Sequence, residues 1–400
     1  MPVSDGGYYR RGFGLKEAIG ADLRADYHSR IVDQIKSSGY RLQVADLTFL
    51  LAREFGFCYG VDRAVEYAYE TRRRFPDRPI FLTGEIIHNP HVNARLKAMG
   101  IGFLREADGG GPGLGSVGPG DVVILPAFGV TVREMAELRA KGCVLVDTTC
   151  GSVLNVWKHV DLFSAAGFTA LIHGKFAHEE TRATASRTTQ APGGRYVVVR
   201  DRGEAAVVCD YIRKGGDPRD FLARFASACS PGFDPDLDLG HIGVANQTTM
   251  LSSESLAIQE MIRGALQERY GGAELAGRFR AFDTICSATQ DRQDAVIDMM
   301  ARKPDLMVVI GGYNSSNTTN LAAIASRSVP TYHIEDAACI NPAGSIRHKA
   351  YGARGEVVTP DWLPPGPLAV GLTAGASTPN NKVGEVVEAV SALRGAEPLE

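Results

Sequence analysis

Two familiar cysteine patterns are missing from this chain of 400 residues: no two of its seven cysteines stand at Cys-x-x-Cys spacing, and no tight cluster of them occurs. That argues against a zinc ribbon, a dithiol redox motif or a ferredoxin-type cluster run. No stretch approaches the roughly 20 continuous apolar residues of a membrane span. The first twenty residues lack the apolar centre of a secretion signal, so a cytoplasmic enzyme with reduced thiols is expected. Charge of one sign is also scarce, with a formal net charge of -3. No overall basic field draws the chain to nucleic acid, and runs such as Arg72-Arg73-Arg74 read as a solvated helix face. The glycines of Asp108–Gly120 precede a strand instead of joining strand to helix, so they are no dinucleotide fingerprint.

What is present is size and alternation. A hydrophobic content of 44% supports a large core. Short apolar runs at Pro79–Leu82, Val122–Leu125, Val144–Val146, Ala170–Ile172, Tyr196–Val199, Leu306–Ile310 and Leu368–Leu372 read as buried strands. Helical periodicity lies between several of them, which is the pattern of an α/β fold with parallel sheets. Residues 1–46 read as an N-terminal extension with one helical stretch, Ala21 to Ser38. Three α/β units are expected after it, at 47–149, 150–283 and 284–400.

Three cysteines each open a predicted helix. Val61, Ala64, Val65 and Ala68 form an apolar stripe after Cys58, Val153, Val156, Trp157 and Val160 after Cys150, and Ala288, Ala295, Val296, Met299 and Met300 after Cys286. Asp147-Thr148-Thr149-Cys150 and Asp283-Thr284-Ile285-Cys286 share a lead-in. A thiol at a helix N-terminus is favoured as thiolate, the form that binds metal. One such cysteine per unit suggests a pseudo-threefold assembly converging on a cluster, against the alternative of three helix-starting cysteines in separate cores. Cys143, Cys209, Cys229 and Cys339 read as buried small hydrophobes.

Polar clusters follow predicted strands, where open α/β sheets bind ligands. They are Gly84–Pro90 with His88, His173–Thr181 with His178 and Glu180, Tyr313–Thr318, and Thr373–Pro379. Hydroxyl and amide groups at helix starts suit phosphate oxygens, although each alone is more often a cap. Glu180, two residues from a histidine, is a candidate proton source.

In order, Gly56-Phe57-Cys58-Tyr59-Gly60-Val61, Ile87-His88-Asn89, Asp147-Thr148-Thr149-Cys150, His178-Glu179-Glu180-Thr181, Asn246-Gln247-Thr248-Thr249, Asp283-Thr284-Ile285-Cys286, Asn314-Ser315-Ser316-Asn317 and Thr373-Ala374-Gly375-Ala376-Ser377 resemble the 4-hydroxy-3-methylbut-2-enyl diphosphate reductases, from about Leu47 to Ala392. Tyr8–Gly14, Pro126-Ala127-Phe128-Gly129 and Gly311-Gly312-Tyr313 resemble their long cyanobacterial and plastid branch. The resemblance implies a trefoil of three α/β units around one [4Fe–4S] cluster per chain. Cys58, Cys150 and Cys286 would hold it, with one iron not ligated by protein. It further implies that His88, His178, Ser315, Ser316, Asn317 and Ser377 hold a diphosphate, that Thr248 lies near the substrate hydroxyl, and that Glu180 drives proton delivery. The implied reaction is the last step of the non-mevalonate isoprenoid route. It removes the hydroxyl of an allylic diphosphate to give isopentenyl and dimethylallyl diphosphate. A ferredoxin- or flavodoxin-type donor would supply the electrons, with no nucleic-acid or membrane partner and the oligomeric state left open. Two departures stand out: Phe128 replaces a common histidine, and Gly151 replaces the proline that usually follows the second cysteine. Rival readings are a cluster-dependent dehydratase and a non-catalytic cluster-binding sensor, which would not need Glu180, Thr248 or the Ser315-Ser316-Asn317 loop.

Overall fold

The computed structural model describes residues 7–106, 109–282 and 284–398. Its strands assemble into three mainly parallel sheets and one hairpin, divided between two compact units. One unit comprises the chain up to Arg10, Asp77–Ile86 and Ile101–Cys286. The other comprises Arg11–Pro76, Ile87–Gly100 and the chain from Ser287 onward. No helix among the described residues is long and apolar enough to cross a membrane.

The first unit holds two sheets. In one, the order is Tyr8–Tyr9, Val144–Asp147, Val122–Leu125, Ile80–Leu82, Ile101–Phe103, all parallel. In the other it is Phe279–Ala281, Ile242–Asn246, Thr169–His173, Tyr196–Val199, again parallel. The central strands Val122–Leu125 and Thr169–His173 are buried at every position, as strands covered on both faces must be. The second unit carries the order Thr331–Ile334, Leu306–Ile310, Leu368–Ala374, Leu47–Leu51, Arg41–Val44, in which only the last pairing is antiparallel. A separate hairpin joins Ser345–His348 to Val357–Pro360.

Every strand expected from the sequence is present, most of them shifted at the ends by a residue or two. Two pairings join segments that lie far apart in the sequence. Tyr8–Tyr9, placed in an extension, is an edge strand beside Val144–Asp147. Leu47–Leu51, placed in the first α/β unit, pairs with Leu368–Leu372 from the far end of the chain. The single N-terminal helix expected over Ala21–Ser38 is two helices, Lys16–Tyr27 and Arg30–Ser37. They break at His28, whose backbone is extended, and the second is capped by Ser29, whose Oγ accepts from Val32 N at 3.3 Å. Within Gly109–Gly120 the only regular element is a short 3-10 turn, Leu114–Ser116.

The stripes behind the three cysteines are core. Val61, Ala64, Val65 and Ala68 are buried, as are Val153, Val156 and Val160, and Ala295, Val296 and Met299. Burying such side chains stabilises by about 1.5–3 kcal/mol each for the larger ones, which fixes the rotation of each helix and hence where its first residue sits.

Candidate active site

Each of the three cysteines stands immediately before its helix. Cys58 caps Tyr59–Arg74, Cys150 caps Gly151–Ala165, and Cys286 directly precedes Ser287–Ala301. All three are partly exposed, whereas Cys143, Cys209, Cys229 and Cys339 are buried. Burial pushes the Cys209 thiol up to about 11 and also raises Cys143 and Cys229, so those sulfurs stay protonated and unsuited to metal. A donor set of accessible thiols at helix N-termini fits an iron–sulfur cluster.

In the first unit a continuous series of contacts, passing through Phe128, joins five of the expected site residues. Cys150 N donates to Ala127 O at 3.0 Å. The next residue, Phe128, packs edge-on against His178 with ring centroids 5.6 Å apart. His178 caps the Glu179–Arg187 helix through Nδ1, which accepts from Glu180 N at 3.2 Å. That bond requires an unprotonated Nδ1, so the neutral ring carries its proton on Nε2. Glu180 is 2% exposed, and its carboxylate accepts from Thr248 N at 2.6 Å and from Thr248 Oγ1 at 3.0 Å. Thr248 O in turn accepts from Cys286 N at 3.4 Å. Asp283 lies outside the described residues, but Thr284 of the same lead-in accepts from Asn246 N at 2.8 Å through Oγ1.

Two residues quoted in the motifs have roles that the sequence did not disclose. Gln247 Oε1 accepts from Lys175 N at 3.1 Å and from Thr181 Oγ1 at 3.0 Å, tying the Glu180 loop to the Thr248 loop. Asp147 Oδ1 accepts from Thr149 N at 2.9 Å and shapes the turn before Cys150, while its other oxygen takes the Tyr8 hydroxyl. The signal for both was their position at strand ends, where side chains can close neighbouring loops.

The second unit gathers the remainder around the ends of Leu306–Ile310 and Leu368–Ala374. Cys58 N donates to Ala376 O at 3.2 Å, and Ala376 N donates to Asn317 Oδ1 at 2.9 Å. Ser377 Oγ donates to His88 O at 3.0 Å. Asn314 Nδ2 lies 3.3 Å from His88 Nδ1, so that nitrogen accepts and the ring proton sits on Nε2. Ser315 is a true cap, accepting from Thr318 N at 3.3 Å, and opens the Ser316–Ala325 helix. Gly312 is required where it stands, since a Cβ there would lie 2.8 Å from His88 O. The telling atom is Asn317 Nδ2. The Ala376 bond fixes which end of the amide is oxygen, and the nitrogen that remains is buried without a hydrogen-bond partner among the described residues. A buried donor left unmade costs about 1–3 kcal/mol, so it marks a place built for an acceptor. The hydroxyls of Thr318, the next residue, and of Thr373 are in the same condition.

Residues 49–391 match the family described as LytB protein. A relative from Thermosynechococcus vestitus, 4-hydroxy-3-methylbut-2-enyl diphosphate reductase, is 49% identical over 388 residues, covering 97% of this chain and 95% of its own. One of the same name from Gloeobacter violaceus is 50% identical over 392 residues, covering 97% and 93%. Among solved structures, that of (E)-4-hydroxy-3-methyl-but-2-enyl diphosphate reductase, the terminal enzyme of the non-mevalonate pathway, superposes with a TM-score of 0.50 at 26% identity, over 86% of this chain and 99% of that one. The E-1-hydroxy-2-methyl-but-2-enyl-4-diphosphate reductase of Plasmodium falciparum shares the fold, with a TM-score of 0.61 at 22% identity over 85% and 86% of the two chains. Matched along nearly its whole length by proteins of one name, the chain belongs to the LytB family of 4-hydroxy-3-methylbut-2-enyl diphosphate reductases.

Proposed function

We propose that this enzyme reduces (E)-4-hydroxy-3-methylbut-2-enyl diphosphate to isopentenyl and dimethylallyl diphosphate, closing the non-mevalonate route. Two electrons and two protons enter, the allylic C–O bond breaks, a C–H bond forms, and water leaves. The observation that carries the reading is the orphaned Asn317 amide nitrogen at the start of a helix, among His88, Ser315 and Ser377. A helix N-terminus with buried donors is suited to phosphate oxygens and poorly suited to a neutral ligand. A dehydratase acting on a substrate without phosphate has no use for it.

Cys58, Cys150 and Cys286 would hold a [4Fe–4S] cluster, leaving one iron without a protein ligand. When bound, such a cluster supplies electrons and a Lewis-acidic iron to the substrate hydroxyl. The remaining chemistry belongs to side chains. His88, His178, Ser315, Ser316, Asn317 and Ser377 hold the diphosphate and so fix the carbon skeleton. The Glu180 carboxyl group lies against both donors of Thr248, so once protonated it hands its proton to the Thr248 hydroxyl as that hydroxyl gives its own to the substrate, and Glu180 is left as the carboxylate. Phe128 braces the His178 ring with its apolar side chain. A small ferredoxin- or flavodoxin-type protein delivers the electrons.

The test is anaerobic turnover of purified protein with the hydroxylated diphosphate and a chemical reductant, with both C5 products quantified. Iron bound without turnover would replace the reading by a cluster-binding sensor. Turnover of hydroxylated acids lacking phosphate would favour the dehydratase.

A further inference from the structure

Arg292 has no part in the reading above, yet it is only 4% exposed. It lies in the Ser287–Ala301 helix, six residues beyond Cys286. Its Nε and Nη2 donate to Gly56 O at 3.2 and 2.8 Å, Nη2 also donates to Phe57 O at 3.1 Å, and Nη1 donates to Ala288 O at 2.8 Å. Among the described residues every partner is a backbone carbonyl, and no carboxylate stands within salt-bridge distance. Asp62, in the first turn after Cys58, feels its charge from farther away. A buried guanidinium satisfied by carbonyls alone keeps its positive charge uncompensated, which is costly unless something negative comes to the site.

The segment it grips is the lead-in to Cys58. Gly56 N donates to Ala374 O at 3.1 Å and Cys58 N to Ala376 O at 3.2 Å. The amides of this loop are therefore tied to the end of Leu368–Ala374, and the two intervening carbonyls are tied to Arg292. Gly56 adopts φ +70, a left-handed conformation that turns its carbonyl toward the arginine and that side chains other than glycine resist. One side chain thus joins the helix that follows Cys286 to the loop that precedes Cys58.

We infer that Arg292 is a positioning residue for the Cys58 thiolate: it sets the loop that presents the sulfur and supplies a buried positive charge for the negative thiolate–cluster group to balance. This rests on Cys58 being a cluster ligand. Lysine keeps the charge but, with a single nitrogen, cannot reproduce the planar fork that spans both carbonyls. Methionine keeps bulk and loses both charge and donors.

The experiment compares wild type, Arg292→Met, Arg292→Lys and a control, Arg302→Met, as full-length, anaerobically purified protein. Arg302 also donates to backbone carbonyls, those of Leu51 at 3.1 Å and Tyr40 at 2.9 Å, and neither borders a candidate ligand. Two quantities are measured: amide exchange of the peptide spanning residues 55–60, and the rate at which a chelator strips iron. Arg292→Met should exchange in that peptide and lose iron at least tenfold faster. Arg292→Lys should fall between, and Arg302→Met should match wild type. Wild-type rates in Arg292→Met would overturn the inference. Should that variant not fold, wild-type rates in Arg292→Lys would do so instead. If wild type itself binds no iron, the cluster reading fails separately, and the exchange measurement still decides whether Arg292 holds the loop.

Discussion

At the scale of single residues, the site is a set of donors and one buried acid whose partners decide their chemistry. Glu180→Gln keeps the size of the side chain and an oxygen for Thr248 N, but has no proton to pass on. Turnover should fall by roughly 10²–10⁴ while iron content and substrate affinity persist, measured on one preparation. Retention of full kcat would move proton delivery to another group. Asn317→Asp is the sharper probe of the anion site. The aspartate can still accept from Ala376 N, so the local fold is kept, but the orphaned donor becomes a negative charge facing phosphate. Losing a hydrogen bond to a charged group costs about 1.5–3 kcal/mol and the added repulsion more, so KM should rise on the order of 10²-fold or beyond, with a normal cluster spectrum. An unchanged KM would take Asn317 out of the site.

At the scale of elements, the helix starts matter because they aim the cysteines. Gly151 is the first residue of the helix capped by Cys150. Cys150 has φ -62 and ψ 143, a conformation that a residue preceding proline favours, and a Cβ at Gly151 would meet nothing within 4 Å. The amide lost in Gly151→Pro belongs to the first turn, where it has no helical partner. The substitution should therefore stabilise the protein by about 0.4–1 kcal/mol through the unfolded chain, with iron content unchanged. Denaturant midpoints of the two proteins decide it, and a lower midpoint for the proline variant would show that the Cys150 turn is held in some other way. The stripes behind all three cysteines were legible because burial enforces helical spacing. Arg292 was not, since an arginine on that stripe, four residues from Ala288 and three from Ala295, looks like its polar edge. The Gly56 and Phe57 carbonyls that it grips lie more than 200 positions away.

At the scale of the whole molecule, stability depends on pH through two buried neutral histidines. Burial pushes both His173 and His333 down to about 4. Above pH 6.5 neither folded nor unfolded chain protonates them, and their contribution is complete. Between 6.5 and about 4 the unfolded chain takes up protons that the folded one refuses, so stability falls as pH falls, by about 1.4 kcal/mol per pH unit for each histidine. Below about 4 both states are protonated and the loss levels off. Urea midpoints from pH 7.5 to 4.5 should show this decline, and His173→Asn should make it shallower by removing one of the two titrating rings, while an asparagine can still meet Ser255 Oγ, which lies 2.8 Å from His173 Nδ1. An unaltered slope in that variant would assign the decline to other groups.

The sequence by itself determined the α/β class, the strand–helix alternation, the three helix-opening cysteines and the ordered motifs, because each is written in local spacing and residue type. What the tertiary structure decided is who meets whom. Leu47–Leu51 pairs across more than 300 positions with Leu368–Leu372. The Tyr8 strand finds Val144–Asp147, Glu180 finds Thr248, and Arg292 finds the Cys58 loop. Parallel pairing and buried hydrogen bonds join residues remote in sequence, and no periodicity within one segment records its distant partner. Nor could residue type alone separate the Ser315 hydroxyl, whose oxygen caps its own helix, from the Asn317 amide, whose buried nitrogen has no acceptor among the described residues.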